Sequence, residues 1–233
     1  MLKAVNLTKS FGNRKVLRGA SLAIEAGEIV SLIGNNGAGK TTLLRILSNL
    51  LKPDLGGIQF DNICPSSDSN AYRRNIGVVL HASMLYGNLT GRENLLFFSR
   101  LYQLPDGEER IRLLLDRMKL SSRADDLVRT YSRGMQQRLS IARALLHDPA
   151  CLILDEPYTG LDPGSSEVFE TLVTSAAAAG KCILLATHDL DKAIRTSTRV
   201  DLLYQGTIAF SAPRGDLSPE QLLQEFHQFT HYA

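Results

Sequence analysis

Between residues 34 and 42 the chain reads Gly34-Asn-Asn-Gly-Ala-Gly-Lys40-Thr41-Thr42, which fits G-x-x-x-x-G-K-[ST], the spacing of a phosphate-binding loop. Few features constrain a fold as tightly, because such a loop works only between a strand and a helix. Both flanks are present. Glu28-Ile-Val-Ser-Leu-Ile33 is a short apolar run with the character of a buried strand. In the stretch from Thr41 to Leu50, the residues Leu43, Leu44, Leu47 and Leu50 recur about a helical turn apart. Glycines let backbone N–H groups turn inward around an anion, and a helix N-terminus adds partial positive charge. The stretch therefore predicts a nucleoside triphosphate site, with Lys40 reaching the β- and γ-phosphates and the Thr41 hydroxyl on Mg²⁺.

A triphosphate site of this kind needs a second, acidic element delivered by another strand. Cys151-Leu-Ile-Leu-Asp155-Glu156 supplies it as an apolar run ending in carboxylates. Asp155 is expected to hold Mg²⁺, and Glu156, pointing elsewhere, to polarise the attacking water. Lys181 to Thr187 is a further apolar run, and His188 follows it. In a parallel sheet, ligands bind beyond the carboxyl ends of the strands, so His188 is placed to reach a γ-phosphate.

The chain has 233 residues, and its 44% apolar share supports a substantial core. With 26 basic and 24 acidic residues the formal charge is only +2, and no basic stripe marks a nucleic-acid binder. The three cysteines Cys64, Cys151 and Cys182 form no CxxC pair; Cys151 and Cys182 open apolar runs and are expected as buried thiols in a reducing compartment. No apolar run approaches the ~18 residues of a membrane span, and the N-terminus lacks the apolar region of a signal peptide. Work at a membrane would require spans from another chain.

Residues 2–30 read as strands and turns, with a half-buried strand from Val16 to Ile24. Gly56 to Asp61 is another short strand, Asp61 to Asn70 a polar loop, and Ile76 to Leu80 a buried strand. The texture turns helical from about 90 to 147. Thr90 and Glu93 make a capping box before Leu95, Leu96, Phe98 and Leu101. A second helix carries Ile111, Leu114, Leu115 and Met118, and a third spans about Arg133 to Leu146. This block, set between strands, is expected as an inserted subdomain. A helix follows Pro163 and ends at Gly180, Val200 to Phe210 reads as a hairpin, and a tail over about 212–233 carries an amphipathic helix. That helix starts at Ser218-Pro219, presents Leu222, Leu223, Phe226 and Phe229 on one side, and is expected to cover the parent domain.

Taken in order, these elements resemble the nucleotide-binding domain of ABC transporters over residues 1–210. Gly34 to Thr42 is similar to the Walker A loop, Cys151 to Glu156 to the Walker B strand, Gly160-Leu161-Asp162 to the D-loop, and His188 to the switch histidine. Tyr131-Ser-Arg-Gly-Met135 stands at the signature position, and Phe11 where the family has its adenine-stacking aromatic. The resemblance implies an α/β fold: a P-loop NTPase of the ABC type with a RecA-like core, an antiparallel β-subdomain and an inserted α-helical subdomain, all in one domain over 1–233. It also implies an ATP-binding set of Phe11, Val16, Asn35, Asn36, Gly37, Ala38, Gly39, Lys40, Thr41, Thr42, His81 and Asp162. Ser132 and Gly134 would join that set in trans, from a second copy in an ATP-sandwich dimer. The implied partners are that second copy and a transmembrane permease, reached from the cytoplasmic face of the inner membrane, with ATP and Mg²⁺ as cofactors.

Two departures stand out. Arg133 and Met135 replace a glycine and a glutamine of the family's usual signature, and His81 stands where a Gln is expected after Leu80. His81, the segment Met84 to Thr90, Glu93-Asn94-Leu95 and Glu156 to Pro163 resemble the ATPase subunit of the haem exporter of cytochrome c maturation. Export of haem or release of a haem chaperone is the expectation from that resemblance. The alternative is an ABC exporter of another cargo (drug, lipid or polysaccharide), or a soluble or weakly hydrolysing regulatory protein.

Overall fold

A computed structural model describes residues 1–216 and 218–230. Its organising layer is a sheet in the order β5-β6-β7-β3-β8-β9. The strands are β3 (Ile29–Ile33), β5 (Ile76–Val79), β6 (Cys151–Asp155), β7 (Cys182–Ala186), β8 (Arg199–Tyr204) and β9 (Thr207–Pro213). All neighbours pair in parallel except β8 and β9, which form an antiparallel hairpin. Every residue of β3, β6 and β7 is buried, the pattern of parallel strands covered on both faces. That is why these segments read as unbroken apolar runs instead of alternating ones. The turn Gln205-Gly206 has positive φ at both residues, which suits a tight hairpin.

A second, smaller sheet has the order β2-β1-β4, from β1 (Leu2–Phe11), β2 (Arg14–Ile24) and β4 (Leu55–Phe60), all antiparallel. Its inner face packs with α1 (Lys40–Leu47), α2 (Ser69–Arg74) and one face of the larger sheet in a common core that includes Leu7, Leu17, Leu44, Tyr72 and Leu184. The other face of the larger sheet carries α3 (Gly91–Tyr102), α4 (Gly107–Arg117), α5 (Arg133–Leu145) and α6 (Pro163–Ala178). There Leu95, Ile111, Leu115 and Leu139 belong to one cluster with Leu152, Leu154 and Leu185 of the strands. The helical block thus shares its core with the sheet. α7 (Leu190–Thr196) and α8 (Pro219–Thr230) complete the chain.

Most elements sit where the sequence puts them. The capping box at Thr90 and Glu93 forms in both directions, and Gly180 has φ 87. The backbone amide of Gln221 donates to Ser218 Oγ at 3.2 Å at the start of α8. α8 does cover the domain: Leu222 is fully buried, and Phe226 and Phe229 pack against Ile33, Ala193 and Leu202.

Three apolar residues depart from the expected faces. α1 ends at Leu47 and Asn49 takes φ 54, so Leu50 lies past the helix and is exposed. Leu101 and Leu223 are exposed as well, because helical spacing fixes a residue's angle on the cylinder and not the width of the buried stripe. The loop expected to Asn70 gives way to α2, whose amide at Ala71 is capped by Asp68 at 2.9 Å. α7, capped by Asp189, also had no periodic signal: it has seven residues, about two turns. The part of the expected tail at 217 and 231–233 lies outside the described residues.

Candidate nucleotide site

The carboxyl ends of β3, β5, β6 and β7 meet at one edge of the sheet, each followed by a residue the sequence marks. β3 runs into the glycine loop, β5 through Leu80 into His81, β6 into Asp155-Glu156, and β7 through Thr187 into His188. β3 is hydrogen-bonded to β7 on one side and to β8 on the other, so its outgoing loop opens at a point where connections diverge to either side.

The loop's shape depends on having no side chains at two positions. A Cβ on Gly34 would lie 2.4 Å from the backbone oxygen of Leu203. Gly39, at φ 110, precedes the first residue of α1 in the left-handed region and makes no side-chain cap. The first amides of α1 are therefore left for a ligand. A cleft of about 420 Å³ opens there, lined by Phe11, Val16, Asn35, Asn36, Gly37 and Gly39, together with Lys40, Thr41, Thr42, Asp155 and Glu156. Ala38 is half-buried in the loop and packs against the core instead.

Four polar side chains set the chemistry. Lys40 Nζ donates to the carbonyls of Gly34 at 2.5 Å and Asn35 at 3.3 Å. Burial lowers its pKa, against the opposing pull of Glu156 and Asp155. Thr41 Oγ1 donates to Asp155 Oδ2 at 3.0 Å. Burial pushes the Asp155 carboxyl up; the Thr41 bond works against this, and the nearby Glu156 adds to it. A buried carboxylate and a hydroxyl side by side form an oxygen-only donor pair, which fits a Mg²⁺ that draws its other ligands from phosphate and water.

Glu156 has φ 50, a left-handed backbone that costs a non-glycine residue about 1–2 kcal/mol. Its amide still bonds to Ala186 O at 2.9 Å, so the turn begins one residue past the strand. The carboxylate then meets His188 Nδ1 at 2.8 Å, and Thr187 Oγ1 donates to it at 3.4 Å. His188 is 72% exposed and Glu156 25%. The two residues expected to act at the γ-phosphate from separate strands are thus one hydrogen-bonded pair.

His81 is exposed and lines a second cavity of about 360 Å³ with Asp155, Glu156, Arg133 and Gln137. It stands beside the carboxylates, as its position after β5 implies. Ser132, Gly134 and Asp162 do not line the phosphate cleft. Ser132 caps α5 by accepting from the Met135 amide at 3.3 Å. Gly134 lies so close to the D-loop that a Cβ there would be 2.6 Å from Gly160 O. Asp162 caps α6, accepting from the Ser165 amide at 2.7 Å, and that bond lowers its pKa.

Two residues of the site went unmarked in the sequence. Thr187 orients Glu156, and Arg14 lines the cleft from the tip of the β1–β2 hairpin. The signal for Arg14 was available: it follows Phe11 across a two-residue turn, and the two pair directly in the hairpin.

Comparison with known proteins agrees with this geometry. The ABC transporter family model matches residues 17–159. A Nod factor export ATP-binding protein I of Burkholderia lata is 39% identical over 92% of this chain and 72% of its own length. A daunorubicin resistance ATP-binding protein of Streptomyces coeruleorubidus is 38% identical over 91% and 68%. Among solved structures, an ATP-binding cassette captured as a post-hydrolysis dimer with ADP and Pi superposes with a TM-score of 0.83 at 31% identity, covering 92% of this chain and 99% of the other. The chain belongs to the ABC transporter family, as an ATP-binding domain of its ATPase type.

Proposed function

We propose that the chain is the ATP-hydrolysing subunit of an ABC exporter whose cargo is a drug, lipid or polysaccharide. The observation that carries the hydrolytic part is the juxtaposition at the sheet edge: Thr41 bonded to Asp155, and His188 bonded to Glu156. The relatives named for Nod factor export and daunorubicin resistance support the exporter part. They weigh against the haem assignment drawn from His81 and the segment after it, and the other exporter reading replaces it.

In this reading the α1 amides and Lys40 bind the phosphates, and Phe11 and Val16 flank the base. Thr41 and Asp155 hold Mg²⁺, which supplies charge neutralisation at the phosphates. Glu156, fixed by His188 and Thr187, orients and polarises the attacking water. His188, largely exposed, is free to turn from Glu156 to a γ-phosphate oxygen when ATP is bound. Ser132 and Gly134 open α5, whose N-terminus can face the phosphate held by a second copy. That arrangement also explains why neither lines this chain's own cleft. In this reading a permease carries the cargo and this subunit acts at its cytoplasmic face; among the described residues no helix is long and apolar enough to cross a membrane.

The test is Glu156→Gln. The amide cannot act as the base, so hydrolysis should fall by a factor of about 10²–10⁴, and the protein should accumulate as an ATP-bound dimer in light scattering. A variant that hydrolyses at the wild-type rate, or stays monomeric in saturating ATP while wild type dimerises, refutes the assignment. Co-purification from membranes with a tag on this chain checks the permease.

A further inference from the structure

Apart from the Mg²⁺ that Thr41 and Asp155 would hold and the amides of α1, the side chains of the recognised motifs offer a triphosphate little positive charge of their own. Lys40 contributes one positive charge, while Asp155 and Glu156 contribute two negative ones. The cation of Lys40 is also spent in part on the Gly34 and Asn35 carbonyls. Arg14 is the other cation in the lining and brings the fixed charge to balance. Without it the side chains of the lining carry a net negative charge, and only the bound Mg²⁺ and the α1 amides would offset it.

The position of Arg14 is specific. Gly12 and Asn13 form the tip between β1 and β2, and Arg14 pairs with Phe11 across it. Its guanidinium nitrogen Nη2 lies 3.5 Å from where a Cβ on Gly37 would stand. Gly37 has no side chain, so the space between the guanidinium and the phosphate loop is open. Several arginines of the chain are held by acids, among them Arg92 by Asp125, Arg110 by Asp106, and Arg199 by Glu28 and Asp201, and so are not available to a ligand. Arg14 has no acidic partner among the described residues. An adjoining cavity of about 580 Å³ is lined by Arg14, Lys15 and Arg18 with no acidic residue, so the positive potential extends along β2.

We propose that Arg14 is a phosphate-binding residue of the nucleotide cleft, gripping the triphosphate from the hairpin tip while Lys40 grips it from α1. A planar guanidinium can give two parallel N–H bonds to phosphate oxygens. Phe11, three residues earlier on the same tip, is left to contact the base. The inference rests on the nucleotide site described above and adds to it a residue that the phosphate-loop motif does not contain.

The experiment measures binding of ATP, ADP, AMP and adenosine, with Mg²⁺, to wild type, Arg14→Ala, Arg14→Lys and Lys40→Ala, at low and high salt. Circular dichroism and the melting temperature establish that each variant is folded. Arg14→Ala should weaken ATP on the order of tenfold, as expected for loss of charge-assisted bonds at a partly exposed site. The loss should be smaller for ADP and absent for adenosine, and the penalty should shrink in high salt as screening takes over. Arg14→Lys should recover part of the affinity, since it keeps the charge and loses the fork.

Unchanged ATP affinity in folded Arg14→Ala overturns the proposal. So does an equal loss for all four ligands, which would mean that Arg14 supports the base or the hairpin instead of the phosphates. If wild type itself binds no triphosphate, the nucleotide reading of the site fails. If wild type binds, Lys40→Ala does not, and Arg14→Ala matches wild type, only the present inference fails.

Discussion

Thr41 joins the two halves of the site, and replacing it with Val isolates what its hydroxyl does. Val keeps the β-branched shape and a similar helix propensity, so the start of α1 is preserved. What is lost is the 3.0 Å bond from Thr41 Oγ1 to Asp155 Oδ2. Hydrogen bonds to charged groups are worth about 1.5–3 kcal/mol. Thr41 is exposed while Asp155 is only 5% so, which puts the expected cost near the lower end, about 1–2 kcal/mol.

For a chain of 233 residues, each kcal/mol moves the melting temperature by about 2–4 °C, so the nucleotide-free variant should melt roughly 2–8 °C lower. The second effect is on metal use. Without the hydroxyl, Asp155 remains as the single protein donor of the pair, and the Mg²⁺ needed for half-maximal phosphate release should rise on the order of tenfold or more. Thr41→Ser retains the hydroxyl and should stay near wild type in both measurements. A valine variant with unchanged melting temperature and unchanged Mg²⁺ dependence refutes the reasoning. A variant that melts lower but uses Mg²⁺ as wild type does would reduce Thr41 to a structural tie between α1 and β6.

Two further outcomes follow from local geometry. His147 is half-buried against Tyr102, with rings stacked 4.0 Å apart, and desolvation lowers its pKa from 6.5 to about 4. The unfolded chain therefore binds a proton that the folded one refuses between those values, and the stability held above pH 6.5 is lost as pH falls. At pH 5 the loss from this group is about 2 kcal/mol. His147→Phe keeps the stack and drops the ring nitrogen that meets Ile76 O at 3.2 Å. The stability of wild type relative to the variant in urea should therefore fall by about that amount from pH 7.5 to 5, whereas a difference that stays constant with pH would refute the account. Gly34→Ala places a Cβ 2.4 Å from the Leu203 carbonyl. A backbone atom cannot swing aside, so the loop must shift and ATP affinity should fall by at least tenfold; wild-type affinity in titration calorimetry would show that the loop tolerates the methyl.

The legible parts of the molecule were those with an unambiguous local cause. The phosphate loop needs glycines at fixed offsets. β3, β6 and β7 need apolar residues on both faces because both are buried. Capping residues at Thr90, Ser132 and Ser218 mark helix starts through bonds only three residues long. The misses were short or partial. α2 and α7 have too few turns to show a period, and Leu50, Leu101 and Leu223 lie at helical spacing yet face outward.

By itself the sequence determined the strand, loop and helix around Gly34 to Thr42, the acidic end of β6, and the histidine after β7, because each is a local arrangement of residue types. The tertiary structure alone decided how these segments work together. Parallel pairing carries the ends of β5, β6, β7 and β3 to one edge, and strand register is set by pairs far apart in sequence, such as Cys151 with Cys182, Ile76 with Cys151 and Ile29 with Ile183. That register bonds Glu156 to His188, lays Asp155 against Thr41, and brings the β1–β2 tip with Arg14 over the loop. No local pattern encodes such distances, since they follow from burying both faces of one sheet at once.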